Sequence, residues 1–159
     1  MIILGIDPGS RCCGYGILQV EKKSITAAGC DIVKVDEKMP LSDRLKQIYE
    51  NIDKIIKRYS PDVVAIETIF YGKNIKSAFT LGHARGVIML AVVQNNLDVV
   101  EYSPREIKRS VVGNGNASKG QVMYMIDKLL GIKLGKNMED AADALAIALC
   151  HYNRLSLGV

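Results

Sequence analysis

Nowhere in its 159 residues does the chain hold the roughly 20 consecutive apolar side chains that a membrane span needs. Met1 to Ile6 runs directly into Asp7 with no basic segment and no cleavage site, so neither secretion nor membrane insertion is expected. The four cysteines, Cys12, Cys13, Cys30 and Cys150, form no CxxC pair and no disulfide-framework spacing. They are expected to be reduced, mostly buried small side chains, and the protein to be cytoplasmic. Repeats, low-complexity tracts and domain linkers are also missing. What is present is 48% hydrophobic, 24% charged and 6% aromatic, the composition of one globular domain over residues 1–159.

The net charge of +4 is modest, but it is unevenly spread. Residues 1–69 hold 10 basic and 10 acidic side chains, residues 70–136 hold 10 and 4, and residues 137–159 hold 1 and 3. The local balances are therefore 0, +6 and −2. A central basic excess suits a polyanion such as nucleic acid, and equally a solvated surface.

Ile2-Ile3-Leu4 and Ile6 form a short apolar run stopped by Asp7-Pro8-Gly9-Ser10, which reads as a buried strand entering a tight turn. Gly14 to Val20 and Ile25 to Val35 read as two further strands of an antiparallel meander. Leu41, Leu45, Ile48, Ile52, Ile55, Ile56 and Tyr59 recur at steps of three and four, predicting an amphipathic helix closed by Ser60-Pro61. Val63 to Ile66 is a second buried strand, ending at Glu67, and the intervening helix implies a crossover within one sheet. A basic loop leads to a small-residue-rich helix from about Ser77 to Asn95, and Val99 to Tyr102 is a short strand. Ser103 with Glu106, and Ser118 with Gln121, match capping boxes and predict two helix starts. A last helix is expected from about Glu139 to Asn153, with Asn137 as its N-cap.

Strand ends present side chains at the mouth of a site, and here two strands end in carboxylates, Asp7 and Glu67. Asp140 and Asp143, three residues apart, share one face of the last helix. Four hard oxygen donors without an interleaved cation are the ligand chemistry of Mg²⁺ or Mn²⁺. Singly, each has another reading: Asp7 as a turn former, Glu67 as an exposed loop carboxylate, the helical pair as favourable charge at a helix N-terminus. Yet the last helix also carries Ala141, Ala142, Leu145, Ala146 and Leu149, an apolar face on which an unpaired aspartate is costly.

These residues carry a family resemblance. Ile3-Leu4-Gly5-Ile6-Asp7-Pro8-Gly9-Ser10 with Gly14-Tyr15-Gly16, Ala65-Ile66-Glu67, Leu81-Gly82-His83-Ala84-Arg85-Gly86-Val87, Val111-Val112-Gly113 and Asp140-Ala141-Ala142-Asp143-Ala144-Leu145-Ala146 occur in the order found in the RuvC family. The chain thus resembles, over nearly its whole length, the bacterial Holliday junction endonucleases of the ribonuclease H-like superfamily. Cys12-Cys13 stands where a hydrophobic residue and a threonine are expected, a change taken to leave the acids untouched.

The resemblance implies an α/β fold, a five-stranded mixed sheet flanked by helices, as one nuclease domain. It implies two Mg²⁺ ions, replaceable by Mn²⁺, held by Asp7, Glu67, Asp140 and Asp143, one activating water and the other stabilising the leaving 3′ oxygen. The products would be a 5′ phosphate and a 3′ hydroxyl. Lys119 matches a basic residue acting near the scissile phosphate, Lys108 a DNA-binding position, and Phe70 an aromatic that meets an unstacked base. Lys73, Lys76, Arg85, Arg105 and Arg109 are further candidates for phosphate contact; Tyr71 has no assigned role. Four-way junction DNA would be the substrate and RuvA and RuvB the working partners. A C2 homodimer would match the near two-fold junction, with Ser77 to Asn95 as interface helix. Competing readings are a related nuclease of another nucleic acid and a catalytically silent junction-binding scaffold. Asp7-Pro8-Gly9-Ser10 also resembles the phosphate loop of actin-like kinases, but those need two duplicated domains.

Overall fold

The first three strands form the expected meander. In the computed structural model, which describes residues 1–22, 24–68 and 74–157, β1 (Ile2–Asp7), β2 (Cys12–Glu21) and β3 (Ser24–Lys34) pair antiparallel. β2 starts two residues earlier than Gly14, and Lys22 in the tight turn to β3 has φ 55°. β4 (Val63–Glu67) lies parallel to β1, and β5 (Val99–Tyr102) parallel to β4, giving one mixed sheet of order β3-β2-β1-β4-β5. This is the α/β, five-stranded mixed arrangement expected from the sequence.

Strand parity divides the molecule. On β1, Leu4 and Ile6 face a core built with α1 (Leu41–Tyr59) and α2 (Ile75–Gln94), whereas Ile3 faces a second core built with α3 (Pro104–Val112), α4 (Lys119–Leu130) and α5 (Glu139–Leu157). On β4, Val64 and Ile66 belong to the first core and Ala65 to the second. Side chains alternate along a strand, so Asp7 and Glu67, two residues beyond Gly5 and Ala65, fall on the α5 side.

α1 has the predicted limits. Ile48, Ile52, Ile55 and Ile56 are buried on it, and Ser60 ends it in the left-handed conformation, φ 46°, its N–H donating to the Ile56 carbonyl. α2 packs on α1 through Ala84, Ile88, Ala91 and Val92. It begins at Ile75 rather than Ser77, because the Asn74 side chain caps it by accepting from the Ser77 N–H. Both predicted capping boxes form, at Ser103 with Glu106 and at Ser118 with Gln121.

α5 starts at Glu139 as expected but differs in its cap and its far end. It continues to Leu157, and Asn137 is not its N-cap: Asn137 has φ 64°, lies two residues before Glu139, and it is the Met138 carbonyl that accepts from the Ala142 N–H. The helix lies unusually close to the sheet. A Cβ built at Gly5 would overlap the Ala144 carbonyl oxygen, and one at Gly14 would overlap that of Asp140. Only glycine on the strand and alanine on the helix permit this approach. α3 is tied across the distal half of α5 by Arg154 to Glu106 (3.1 Å) and by Asn153 Nδ2 donating to the Ser110 carbonyl (3.2 Å).

Candidate active site

Asp7 ends β1 beside Glu67, since Ile6 pairs with Ile66 in the parallel register. Opposite Asp7 on β2 stands Gly14, whose missing side chain lets the first turn of α5 settle there. That seating delivers Asp140 and Asp143. One carboxylate oxygen from each of Asp7, Asp140 and Asp143 lies within 4.8 Å of the others. Glu67 is not in this tight triplet, but it lines the same 260 Å³ cleft as Asp7, Asp143, Lys108 and Lys119. Pro104, Ile107, Val122 and Ile147 form the cleft's apolar walls. All four acids are partly buried.

The electrostatics follow from this crowding. Burial, reinforced by the negative charges of Glu67, Asp143 and Asp140, pushes the Asp7 carboxyl up to about 8. Glu67 is raised too, by burial and then by Asp143, against the opposing pull of Lys119 and Lys108. Lys119 Nζ sits 3.0 Å from Asp143 Oδ2, and that bond raises the lysine. The centre therefore holds more negative charge than its own lysines neutralise. Converging carboxylate oxygens in a part-buried cleft are a hard donor set that fits a divalent cation, with Asp7, Asp140 and Asp143 as the nearest ligands and Glu67 across the cleft.

The remaining predicted contact residues separate. Lys108 and Lys119 reach the acidic cleft. Lys76 lines another cleft, bounded by the β1–β2 turn, α1 and α2. Arg85 is not a free cation: Nε donates to the Glu67 carbonyl at 3.3 Å, a terminal nitrogen lies 2.7 Å from Glu101 Oε2, and the side chain is 16% exposed. In this position it braces the end of β4. Arg105 is exposed, its stem against Gly115, and Arg109 lines a groove with Glu106, Ser110 and Arg154. Phe70, Tyr71 and Lys73 lie outside the described residues.

One contact corrects the sequence reading. Cys12 was expected to leave the acids untouched, yet its Sγ donates to Asp140 Oδ2 at 3.0 Å. This bond, ahead of burial, pushes the thiol up to about 11. Parity on β2 could have signalled it, since Cys12 shares the α5 face with Gly14 and Gly16. All four cysteines are free, but only Cys13 and Cys150 are buried; Cys12 is exposed and Cys30 intermediate. Arg44, beside the Lys76 cleft, carried no sequence signal.

Comparison with known proteins agrees with this geometry. The family model described as "Crossover junction endodeoxyribonuclease RuvC" matches residues 3–151. The protein of that description from Ruminiclostridium cellulolyticum is 41% identical over 158 residues, covering 99% of this chain and 95% of its own. That from Francisella tularensis subsp. novicida is 50% identical over 155 residues, covering 96% and 88%. The solved structure of T. thermophilus RuvC in complex with Holliday junction substrate superposes with a TM-score of 0.92 at 30% identity, covering 99% of this chain and 96% of that one.

Proposed function

The chain belongs to the RuvC family of crossover junction endodeoxyribonucleases, and on that premise we propose that it resolves four-way DNA junctions by paired, symmetric, metal-dependent nicks in recombination and repair. The observation that supports this reading most is the meeting of the Asp7, Asp140 and Asp143 carboxylates within 4.8 Å, with Lys119 at their edge.

Two Mg²⁺ ions, or Mn²⁺ in their place, held by Asp7, Asp140, Asp143 and Glu67 would supply an activated water and stabilise the leaving 3′ oxygen, giving a 5′ phosphate and a 3′ hydroxyl. The chain's own part is to bind and orient. Lys119 and Lys108 draw the scissile phosphate over the acids. Gly5 and Gly14 keep α5 at the sheet, so that the aspartates are preorganised rather than gathered by substrate. Pro104, Ile107, Val122 and Ile147 keep one wall of the cleft dry. Lys119 also holds Asp143 in place while the cleft awaits substrate.

The junction's near two-fold symmetry calls for two such centres, and we assign a homodimer. Its interface would be α2, where Phe79, Leu90 and Val93 are 68%, 50% and 59% exposed and open space lies over Gly82 and Gly86. Ala84 and Ala91 instead face the protein's own core, so the interface stripe is narrower than the small-residue pattern suggested. Phe70 is assigned to base stacking and Arg105 and Arg109 to backbone phosphates. We read residues 1–159 as a single nuclease domain that acts in the cytoplasm, with RuvA and RuvB as partners. Among the described residues no helix is long and apolar enough to cross a membrane.

The test is cleavage of a synthetic four-way junction and of linear duplex of the same sequence, with Mg²⁺ or EDTA, for wild type and Asp7→Asn. Symmetric nicks on the junction alone, absent in EDTA and in the variant while junction binding persists, are expected. Equal cutting of linear duplex or RNA would discard the junction assignment, and binding without cutting would leave a scaffold.

A further inference from the structure

A second cleft, of 510 Å³, opens on the opposite side of the β1–β2 turn from the carboxylates. It is lined by Ser10, Arg11, Arg44, Lys76, Ser77 and Thr80: three cations, three hydroxyls and no acid. Its floor is Arg44, anchored when a terminal guanidinium nitrogen donates to the Ser10 carbonyl at 3.3 Å. The Arg44 Nε is shielded from solvent and has no hydrogen-bond partner among the described residues. A shielded, unpartnered guanidinium donor is costly unless an acceptor reaches it from the cleft. Among the described residues only Arg11 of the three cations has an acidic partner, Glu37 at 3.0 Å, and that pair is exposed on both sides. α2 adds the start of a helix with no acidic residue in its first turn.

We propose that this cleft is a second phosphodiester-binding site, holding a backbone phosphate of the same strand within about three nucleotides of the one at the carboxylates and so setting which bond is cut. The proposal rests on the junction-cutting function above. Position supports it: Asp7 and Ser10 are three residues apart, at most roughly 11 Å of extended chain. One strand of DNA presents a phosphate about every 3.4 Å of its axis. A strand crossing the β1–β2 turn therefore places a flanking phosphate over Arg44 within about three nucleotides of the acids. The planar guanidinium suits bidentate contact with phosphate oxygens, and the Ser10 and Ser77 hydroxyls can complete the cradle.

The test uses the full chain as wild type, Arg44→Gln, Arg44→Lys and Lys76→Gln. Lys76 is exposed on the helix surface, so its variant separates loss of contact from loss of fold. Junction affinity is followed across a salt series by fluorescence anisotropy, and cut positions are mapped on sequencing gels. Arg44→Gln and Lys76→Gln are each expected to weaken junction binding about 3- to 10-fold and to lower the slope of log K against log salt by about one. Arg44→Lys should keep the slope, and Arg44→Gln should spread the cuts over neighbouring bonds. Amide and Arg Nε–H NMR shifts on adding a short single-stranded oligonucleotide, against inorganic phosphate, give an arm that does not depend on cutting. Shifts at Lys76, Ser77 and Arg44 with the oligonucleotide uphold the site even if wild type fails to cut junctions. Wild-type cutting with unchanged affinity, slope and cut position in both glutamine variants overturns it. So do shifts with inorganic phosphate alone, which would make the cleft a free-anion site.

Discussion

The two sides of the sheet obey opposite rules. On the α1–α2 side the strands and helices meet through large aliphatic side chains, Leu4, Ile6, Ile17, Ile48, Ile52 and Ile88, and the reward is stability. On the α5 side, above a core that still holds Ile3, Leu18, Leu145 and Ile147, the glycines of β1 and β2 meet the α5 backbone, and the reward is proximity: backbone touches backbone and four acids gather at one rim. A single strand serves both, because alternate residues of β1 point to different sides. Stability and chemistry are thereby separated by parity, not by region.

The largest test of that separation is Asp7→Asn. Cleavage is expected to fall by at least about 10³-fold, while the metal-free protein becomes more stable. The sign follows from the raised carboxyl. Its folded pKa of about 8 exceeds the ordinary aspartate value of 3.8, so wild type loses stability as pH rises from about 4 to 8, and asparagine escapes that loss. Above pH 8 the variant should melt higher, by 1 kcal/mol or more, roughly 2–4 °C, in thermal denaturation with EDTA.

Next comes a pair of substitutions on opposite sides. Gly14→Ala forces a methyl group into the Asp140 carbonyl, with an expected cost of about 3 kcal/mol and a cleavage loss of about 10²-fold, as a displaced aspartate would give. Ile52→Ala, fully buried on the other side, should cost about 2–5 kcal/mol with the cleavage rate of the folded protein unchanged. Equal effects of the two on rate would end the distinction. Arg85→Gln removes the brace on Glu67 and is expected to slow cleavage roughly 10-fold at nearly unchanged junction affinity. A matching loss of affinity would make Arg85 a DNA contact after all.

The smallest effect concerns His151, buried on α5 and bonded through Nδ1 to the Tyr102 hydroxyl at 2.7 Å. Burial lowers its pKa below the usual 6.5. The unfolded chain therefore takes up a proton first, and stability falls as pH drops below about 6.5 and on through the folded value. His151→Gln should flatten that part of the melting-temperature profile, leaving the profile above pH 7 parallel to wild type.

What could be read from the sequence was what is local. The α1 limits came from the spacing of isoleucines, and the starts of α3 and α4 from serine and its partner three residues on. Asp7 and Glu67 were legible as strand ends, and Asp140 with Asp143 as one helical turn. What escaped depended on distant partners. The ion pair of Arg85, a candidate phosphate contact, with Glu101 was illegible because Glu101 lies on another element, and the bond from Cys12 to Asp140 because the two are 128 residues apart. Asn137 has the chemistry of a cap, but a left-handed backbone put it one residue too early.

The tie between α3 and α5 has a consequence for the substrate. Lys108 on one helix and Asp143 on the other line the same cleft, and the two helices are joined on either side of Lys108 by Arg154 with Glu106 and by Asn153 with Ser110. Widening the cleft between them means straining these ties. The compliance must come from the nucleic acid, and distorting a continuous, fully stacked duplex costs free energy. At a crossover point the exchanging strands already turn from one helix into another. A cleft held at one width thus favours DNA whose shape already fits it over duplex that must be bent to enter.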